Sequence, residues 1–545
     1  MRKPLFIPSV LKWTMAIVAM LMLPVTAVDV TAQNPYLPLW EHIPDGEPYV
    51  FEDPDHPGQY RVYIYGSHDS RRTDYCGREQ VVWSASVDNL TQWRYDGIIF
   101  ESKKDARGQL LNEGGVGDIL FAPDVTVTTD KNGKKTYYLY PNNQEGGRQT
   151  MVCKSDRPDG PFEVCNWNPE NPKETVGILY FDPGVFVDDD GRVYGYWGFM
   201  QSWGAELDPN TMATLKKGGQ RIENLVPSNE QDNVFRFFEA SSMRKIKDKY
   251  VLIYSRWTKN GEFGLYDSNY TLAYAYSDHP LGPFTYGGTI IDGRARGTDE
   301  QGKVIPTANP TGNTHGSICE INGQWYIFYH RQTGVNEYSR QAMVAPITVK
   351  VTEGPGGKVE ISEGEYTSEG FEINGLDPQK RYPAAIACYM TGPEPVYRDN
   401  TGSVYSGSYV EATYVEGIPQ GDVYDLKVNC NPVINNTDGS ILGYKYFNFS
   451  KIDRRRTPRM LLNMKTLGIN GHIDVMIDSP WTSRGGKKIG SLNITPRTAA
   501  KAKDVPIKLS GIENLSGKHA VYLVFSSPVK KKSMCELYNF CLQAK

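Results

Sequence analysis

Polar and apolar positions along this chain fall into one recurring phrase: a polar residue, a short apolar strand, a turn, and a second strand rich in aromatics. The clearest copy runs from Phe181 to Gly198, with Asp182 ahead of Val185-Phe186-Val187, a turn at Asp190-Gly191, and Val193-Tyr194-Gly195-Tyr196-Trp197 behind it. An Asp-Gly turn between two such runs predicts a β-hairpin, because these residues tolerate the backbone the turn needs. Four more copies are headed by Asp45, Asp124, Glu239 and His315, each followed by a strand, a turn and a Tyr- or Trp-rich strand. The stretches Ser155–Phe162 and Ser277–Phe284 share a Pro/Gly turn that predicts the join between two outer strands. Five repeats of about four short strands each predict a five-bladed β-propeller over residues 33–350.

From about Val351 the phrase stops, and a Gly/Glu-rich stretch at 351–375 reads as a linker or closing segment. Beyond it, short strands such as Val423–Val428, Met460–Met464, His472–Asp478 and His519–Phe525 predict a β-sandwich of the jelly-roll kind over 376–545. The fold class expected is all-β.

The N-terminus has the form of a secretory signal over residues 1–32. Arg2 and Lys3 precede an apolar core, Trp13–Val25, and Val30-Thr31-Ala32 offers small residues for cleavage before Gln33. The apolar run is too short, and broken by Pro24, for a membrane span. An exported chain, periplasmic or secreted, with no stable span after cleavage is expected. In that setting Cys153 and Cys165 are positioned to pair across a hairpin, and Cys535 with Cys541 near the C-terminus. No Cys/His spacing suggests zinc.

A formal net charge of -4 argues against nucleic acid or an anionic membrane as partner. The 35 Tyr and 10 Trp suit both strand formation and stacking on sugar rings, so they decide nothing alone.

Position within the repeat is more informative. The innermost strand of each blade lines the central channel, so Asp45, Asp124, Asp182, Glu239 and His315 are expected at one end of it together. Four carboxyl groups and a His in one cavity are costly, because like charges raise one another's pKa values, which points to use rather than to turn capping. Trp203, Phe235 and Trp257 are candidates for sugar stacking, and Arg340, on a strand closing the ring, for reaching the cavity. The charged stretch His68–Arg78, with Arg71, Arg72 and Arg78, reads either as a pocket rim or as a solvated loop.

With these residues in view, Asn34 to Lys350 resembles glycoside hydrolase family 43, through Phe121-Ala122-Pro123-Asp124-Val125, the Asp182 phrase, Phe238-Glu239-Ala240-Ser241-Ser242 and the His315 phrase, in that order. The resemblance implies a five-bladed propeller that hydrolyses glycosidic bonds with inversion. It implies Asp45 as general base, Glu239 as general acid, and Asp182 as the residue that orients the acid and raises its pKa. Asp45 lies in Pro44-Asp45-Gly46-Glu47-Pro48 rather than the family's common Asp-Pro-Ser, which leaves Glu47 as a rival base. The resemblance also implies substrate contacts at Asp124, His315, Trp203, Phe235 and Arg340. It requires no cofactor and allows a structural Ca2+ ion at His315.

The C-terminal part is similar to carbohydrate-binding modules of family 6, carried by Asn470–Ser479, Ile489–Leu492 and Gly517–Phe525, with Tyr446 and Trp481 as candidate glycan-stacking residues. A module that merely packs on the propeller fits equally. The function expected is an exo-acting α-L-arabinofuranosidase or β-xylosidase on plant oligosaccharide or polysaccharide fragments. Galactofuranosidase activity, a non-catalytic glycan binder, and a retaining fructan- or sucrose-cleaving enzyme are the alternatives; sugar, linkage and oligomeric state are left open by the sequence.

Overall fold

Alternate residues of a strand point to opposite faces of its sheet, and in this chain both faces are apolar. Val62 and Ile64 pack one way, Tyr63 and Tyr65 the other, and all four are fully buried. Such strands require a neighbour on each side. The computed structural model, which describes residues 33–543 apart from 72, 229–231, 309–311, 400–401 and 414–416, provides these neighbours.

Five antiparallel sheets follow one another along the chain. The first comprises β1 (Glu47–Glu52), β2 (Tyr60–Tyr65), β3 (Glu79–Ser86) and β4 (Asn89–Glu101). The second comprises β5 (Asp124–Thr129), β6 (Lys135–Tyr140), β7 (Cys153–Ser155) and β8 (Glu163–Val164). The third comprises β9 (Gly184–Val187), β10 (Val193–Trp197), β11 (Trp203–Leu207) and β12 (Ile222–Glu223). The fourth comprises β13 (Phe237–Ile246), β14 (Lys249–Thr258), β15 (Ser268–Ser277) and β16 (Thr285–Asp292). A hairpin of β17 (Arg296–Thr298) and β18 (Val304–Pro306) leads to the fifth sheet, β19 (Ser317–Ile321), β20 (Gln324–Gln332) and β21 (Arg340–Ile347). All five expected hairpins form, and the two Pro/Gly turns join β7 to β8 and β15 to β16.

A separate apolar cluster fills the space between each sheet and the next. Tyr63 and Tyr65 meet Val125 and Leu139; Tyr140 and Val152 meet Val193 and Trp197. Tyr194 and Tyr196 meet Leu252 and Tyr254; Val251 and Ile253 meet Ile318 and Ile327. The last cluster joins Phe328 and Val344 of the fifth sheet to Val62 and Ile64 of the first. The first strands make the same circuit, with β5 beside β9, β9 beside β13, and β19 beside β1. Ser242 Oγ lies 2.8 Å from Ser317 Oγ between β13 and β19, and the Tyr49 hydroxyl donates to Asp124 between β1 and β5 at 2.6 Å.

The first described residues close the outside of the fifth sheet. The Asn34 side chain donates to Val344 O at 2.9 Å and accepts from Val344 N at 3.1 Å, and Tyr36 N donates to Ala342 O.

Apart from two separate two-stranded hairpins, Val349–Val351 with Val359–Ile361 and Tyr397–Asp399 with Gly402–Val404, the remaining strands form two facing sheets, one of six strands and one of five, with a large apolar core between them that includes Leu442, Phe447, Leu462, Val475, Leu523 and Phe540. The segment 351–375 is packed in place and is no loose linker. Its strand Val359–Ile361 pairs with Val349–Val351, the Tyr274 hydroxyl donates to Val359 O and accepts from Ile361 N, and Tyr366 is buried. All described residues from 33 onward belong to one compact unit. All eight cysteines are free, so neither expected disulfide is present. Among the described residues no helix is long and apolar enough to cross a membrane; the expected signal sequence lies outside the described residues.

Candidate active site

Each residue that heads a repeat sits where its inner strand begins, and two of them have unusual backbones. Asp45 (φ 60°) and Asp182 (φ 43°) are left-handed, a conformation that Asp tolerates better than most residues and that persists where the surroundings enforce it. Glu239 lies within β13, where the ladder to β14 skips on both sides of it and Ala240 has φ 67°. Such a bulge turns a side chain out of the regular alternation. Gly184 lets β9 and β13 approach closely, since a Cβ there would come within 2.4 Å of Ser241 O.

The result is a cavity of about 280 Å³ that Asp45, Asp182, Glu239, His315 and Arg340 all line. Around them are Tyr75, Cys76, Phe121, Phe181, Phe199, Phe238, Gln144, Asn269 and Asn313.

The carboxyl groups are biased in opposite directions. Burial pushes Asp45 up, but Arg340, His330, His315 and a hydrogen bond from the Ser67 hydroxyl pull harder and hold it below the usual carboxylate range. Arg340 Nη1 lies 3.1 Å from each Asp45 oxygen, and Asp69 holds the rest of the guanidinium at 2.9–3.0 Å. Glu239 is buried and lies near Asp182 and Asp45; desolvation first, then these charges, raise it well above the ordinary value despite His315 and Arg340. Asp182 is pushed up to about 6, mainly by burial and then by Asp45, against His315 and a 2.7 Å hydrogen bond from Asn142. His315 lies between Asp182 (3.6 Å) and Glu47 (3.8 Å); burial lowers its pKa, but these carboxylates raise it to about 9. His330 behind Asp45 is the reverse case: burial drives it down to about 4. Neutral, it accepts from Asp45 N at Nδ1 and donates to Asn313 O from Nε2.

Several expected contacts lie elsewhere. Asp124 is outside the cavity lining; its oxygens accept from Tyr49 OH and from Val185 N, both at 2.6 Å, so it ties three inner strands together. Trp203 stacks on Trp197 at 6.4 Å, with Arg221 over it, and Phe235 packs edge-on to Tyr286. Neither lines the cavity; Trp203 and Phe235 pack instead against the apolar clusters between sheets. Trp257 packs on Phe238 at 5.3 Å. Glu47 pairs with Arg244 at 2.7 Å and is outside the lining, which leaves Asp45 as the carboxylate facing the cavity. In the His68–Arg78 loop the arginines turn away, Arg71 to Tyr75 O and Cys76 O and Arg78 to Gly117 O, while Tyr75 and Cys76 form the wall. Arg72 lies outside the described residues.

Phe181 and Phe238 each precede a repeat-heading acid, and that adjacency was the one signal for them. Phe199, Asn269, His330 and Tyr75 carry no such mark.

Among the described residues, no three His, Cys, Asp or Glu side chains converge as metal ligands. Around His315 the nearest carboxylate oxygens are Asp182 Oδ2 at 3.6 Å and Glu47 Oε1 at 3.8 Å, and Arg244 takes the other Glu47 oxygen.

On the sandwich, Tyr446 and Trp481 are half-buried against a cluster with Tyr389 and Tyr522. The Tyr446 hydroxyl donates to Glu365 at 2.7 Å, and Lys518 lies over its ring. The β17–β18 hairpin meets this cluster, with the Tyr389 hydroxyl donating to Thr298 O and Ser483 to Glu300.

A cavity that biases one carboxyl group toward its protonated form and another toward its ionised form suits acid–base cleavage of a glycosidic bond. The sequence model of glycosyl hydrolases family 43 matches residues 48–353. A xylosidase/arabinosidase from Thermoclostridium stercorarium is 34% identical over 82% of this chain and 91% of its own length. An arabinoxylan arabinofuranohydrolase from Paenibacillus polymyxa is 24% identical over 88% of this chain and 69% of its own. A crystal structure of a family 43 arabinoxylan arabinofuranohydrolase from Bacillus subtilis in complex with cellotetraose shares 20% identity over 94% of this chain and 97% of that one, at a TM-score of 0.42. This chain belongs to glycosyl hydrolases family 43. It is a glycosidase.

Proposed function

We propose that the chain is an inverting, exo-acting α-L-arabinofuranosidase or β-xylosidase that trims plant polysaccharide fragments. The observation that carries this is the opposite bias of Asp45 and Glu239 in one cavity. The names of the Thermoclostridium and Paenibacillus relatives favour pentose substrates.

In this reading Glu239 donates its proton to the leaving oxygen as the glycosidic bond breaks. Asp45, ionised, takes a proton from the water that attacks the anomeric carbon from the opposite face, so configuration inverts. Asp182 keeps Glu239 protonated by charge repulsion and orients it. His315 stays cationic between Glu47 and Asp182, where it contacts the substrate from the floor of the cavity. Asn269, Asn313 and Gln144 supply hydrogen bonds to sugar hydroxyls, and the Phe rings supply apolar faces.

We read the five sheets as the blades of a five-bladed propeller, since their cores and inner strands form a closed circuit. The sandwich we read as a jelly-roll akin to family 6 carbohydrate-binding modules, acting here as a support for the propeller. We place the mature protein outside the cytoplasm, on the strength of the N-terminal sequence.

The test is hydrolysis of nitrophenyl α-L-arabinofuranoside, β-D-xyloside and β-D-galactofuranoside by wild type and Glu239→Ala. Turnover of one pentoside, with a loss of about a hundredfold or more in the variant, supports the reading. The galactofuranoside arm tests the activity named in a 27% identical Aspergillus niger relative. Silence on all three, followed by binding without cleavage of arabinoxylan fragments, would overturn it in favour of a glycan binder.

A further inference from the structure

One wall of the cavity is braced from the sandwich. The chain between β20 and β21, residues 333–339, turns back on itself through Thr333 and Ser339, and its tip projects beyond the sheet. That tip is gripped from the C-terminal side. Ser403 N donates to Val335 O at 2.6 Å, Gly334 N donates to Val410 O at 2.7 Å, and the Tyr405 hydroxyl donates to Gly334 O at 3.0 Å. Gly402 lies so close that a Cβ on it would stand 2.0 Å from Val335 O.

The opposite side of the same tip holds the cavity wall. The Tyr75 hydroxyl donates to the buried Glu337 carboxylate, and the Tyr338 ring meets the Tyr75 ring edge-on at 4.9 Å. Tyr75 lines the cavity, with the Arg340 guanidinium 5.0 Å from its ring centroid. Arg340 in turn holds both oxygens of Asp45.

We propose that the hairpin of Tyr397–Asp399 with Gly402–Val404, which lies beside the sandwich, is a working part of the active site. By fixing residues 334–338 it sets the position of Tyr75, which is a positioning residue for Arg340 and a determinant of which sugar the cavity admits. The inference rests on reading the cavity as a glycosidase site. Its chemistry is ordinary: a ring packed over a guanidinium excludes water from the Arg340–Asp45 pair, and a shift of about 1 Å in such a wall is enough to alter substrate fit.

The experiment uses the full chain with Gly402→Val, whose side chain collides with Val335 O and carries an unfavourable φ of 125°. Two quantities are read. The KM for the hydrolysed nitrophenyl pentoside is expected to rise about tenfold, with a smaller fall in kcat as Arg340 and Asp45 lose the cover of the Tyr75 ring. Alkylation of Cys76 by iodoacetamide, followed by peptide mapping, is expected to speed up at least about tenfold, because Cys76 is only 2% exposed beside Tyr75 and is uncovered when that ring moves. Glu337→Gln, which removes the carboxylate that the Tyr75 hydroxyl donates to, is expected to do the same to a lesser degree and serves where Gly402→Val fails to fold. Unchanged Cys76 alkylation, or an unchanged KM, in both variants overturns the proposal. If wild type hydrolyses no pentoside, the glycosidase reading fails by itself and Cys76 alkylation still decides whether the hairpin positions the wall.

Discussion

Arg340 Nη1 sits 3.1 Å from both oxygens of Asp45, and the remainder of its guanidinium is held by Asp69. The pair is buried, so the arginine fixes both the place and the charge of the carboxylate proposed to activate water. Asp45 works only when ionised, and Arg340 lowers its pKa. In Arg340→Met the acid limb of the kcat/KM profile therefore moves to higher pH. Two buried carboxylates also lose their cation, at a cost of about 3–5 kcal/mol in stability. The pH–rate profile and urea denaturation check these outcomes.

Asp182 raises Glu239 by charge repulsion, second only to burial. Asp182→Asn removes that charge, so Glu239 loses its proton at lower pH and the alkaline limb of the profile moves acidward. A loss of about a hundredfold in kcat on substrates with poor leaving groups is expected, with a smaller loss on nitrophenyl glycosides. An unshifted alkaline limb would separate Asp182 from the acid.

His315 is raised from about 6.5 in an unfolded chain to about 9 in the folded one. A group with a raised folded pKa stabilises most below its unfolded value, and that stability fades as pH climbs through the folded value. The gap in melting temperature between wild type and His315→Gln is therefore widest near pH 6 and narrows between about 6.5 and 9. The stability behind that gap is at most about 3 kcal/mol, at 1.36 kcal/mol per unit.

Glu47 and Asp45 are separated by one substitution each. Glu47→Gln leaves the half-buried Arg244 without its carboxylate and costs about 1–3 kcal/mol of stability. The acid limb of the profile stays with Asp45, since Glu47 does not face the cavity. A shift of that limb on Glu47→Gln of the size seen for Arg340→Met would reassign the base.

The sequence made the ring and its acids legible because both follow from local pattern. Hairpin turns are set by a few adjacent residues, and four of the five residues that head inner strands line the cavity, while Asp124 is turned between strands by Tyr49 and Val185. Aromatics were harder. Phe235 and Phe238 are three apart on one strand entry, and a bulge at Glu239 decides which of them sees the cavity, a break in alternation that periodicity does not reveal. Trp203 looked equally suited to sugar, yet its strand pairs it with Trp197 across the sheet. Tyr75 was hidden for another reason: its place depends on Glu337 and Tyr338, far along the chain, and on the sandwich behind them.

The peptide at Leu39 has a history written into its partners. Its N–H donates to Asn429 Oδ1 at 2.5 Å, and its carbonyl accepts from Gln341 at 2.6 Å and Asn431 at 3.0 Å. A ribosome delivers Leu39 roughly 390 residues before Asn429. The fifth sheet claims Asn34, Tyr36 and the Leu39 carbonyl first, but the Leu39 N–H waits for Asn429. The assembly is sealed at the point where its oldest residues meet some of its youngest, and a nascent chain halted after the fifth sheet holds every proposed catalytic carboxylate but lacks the asparagines that clasp its beginning.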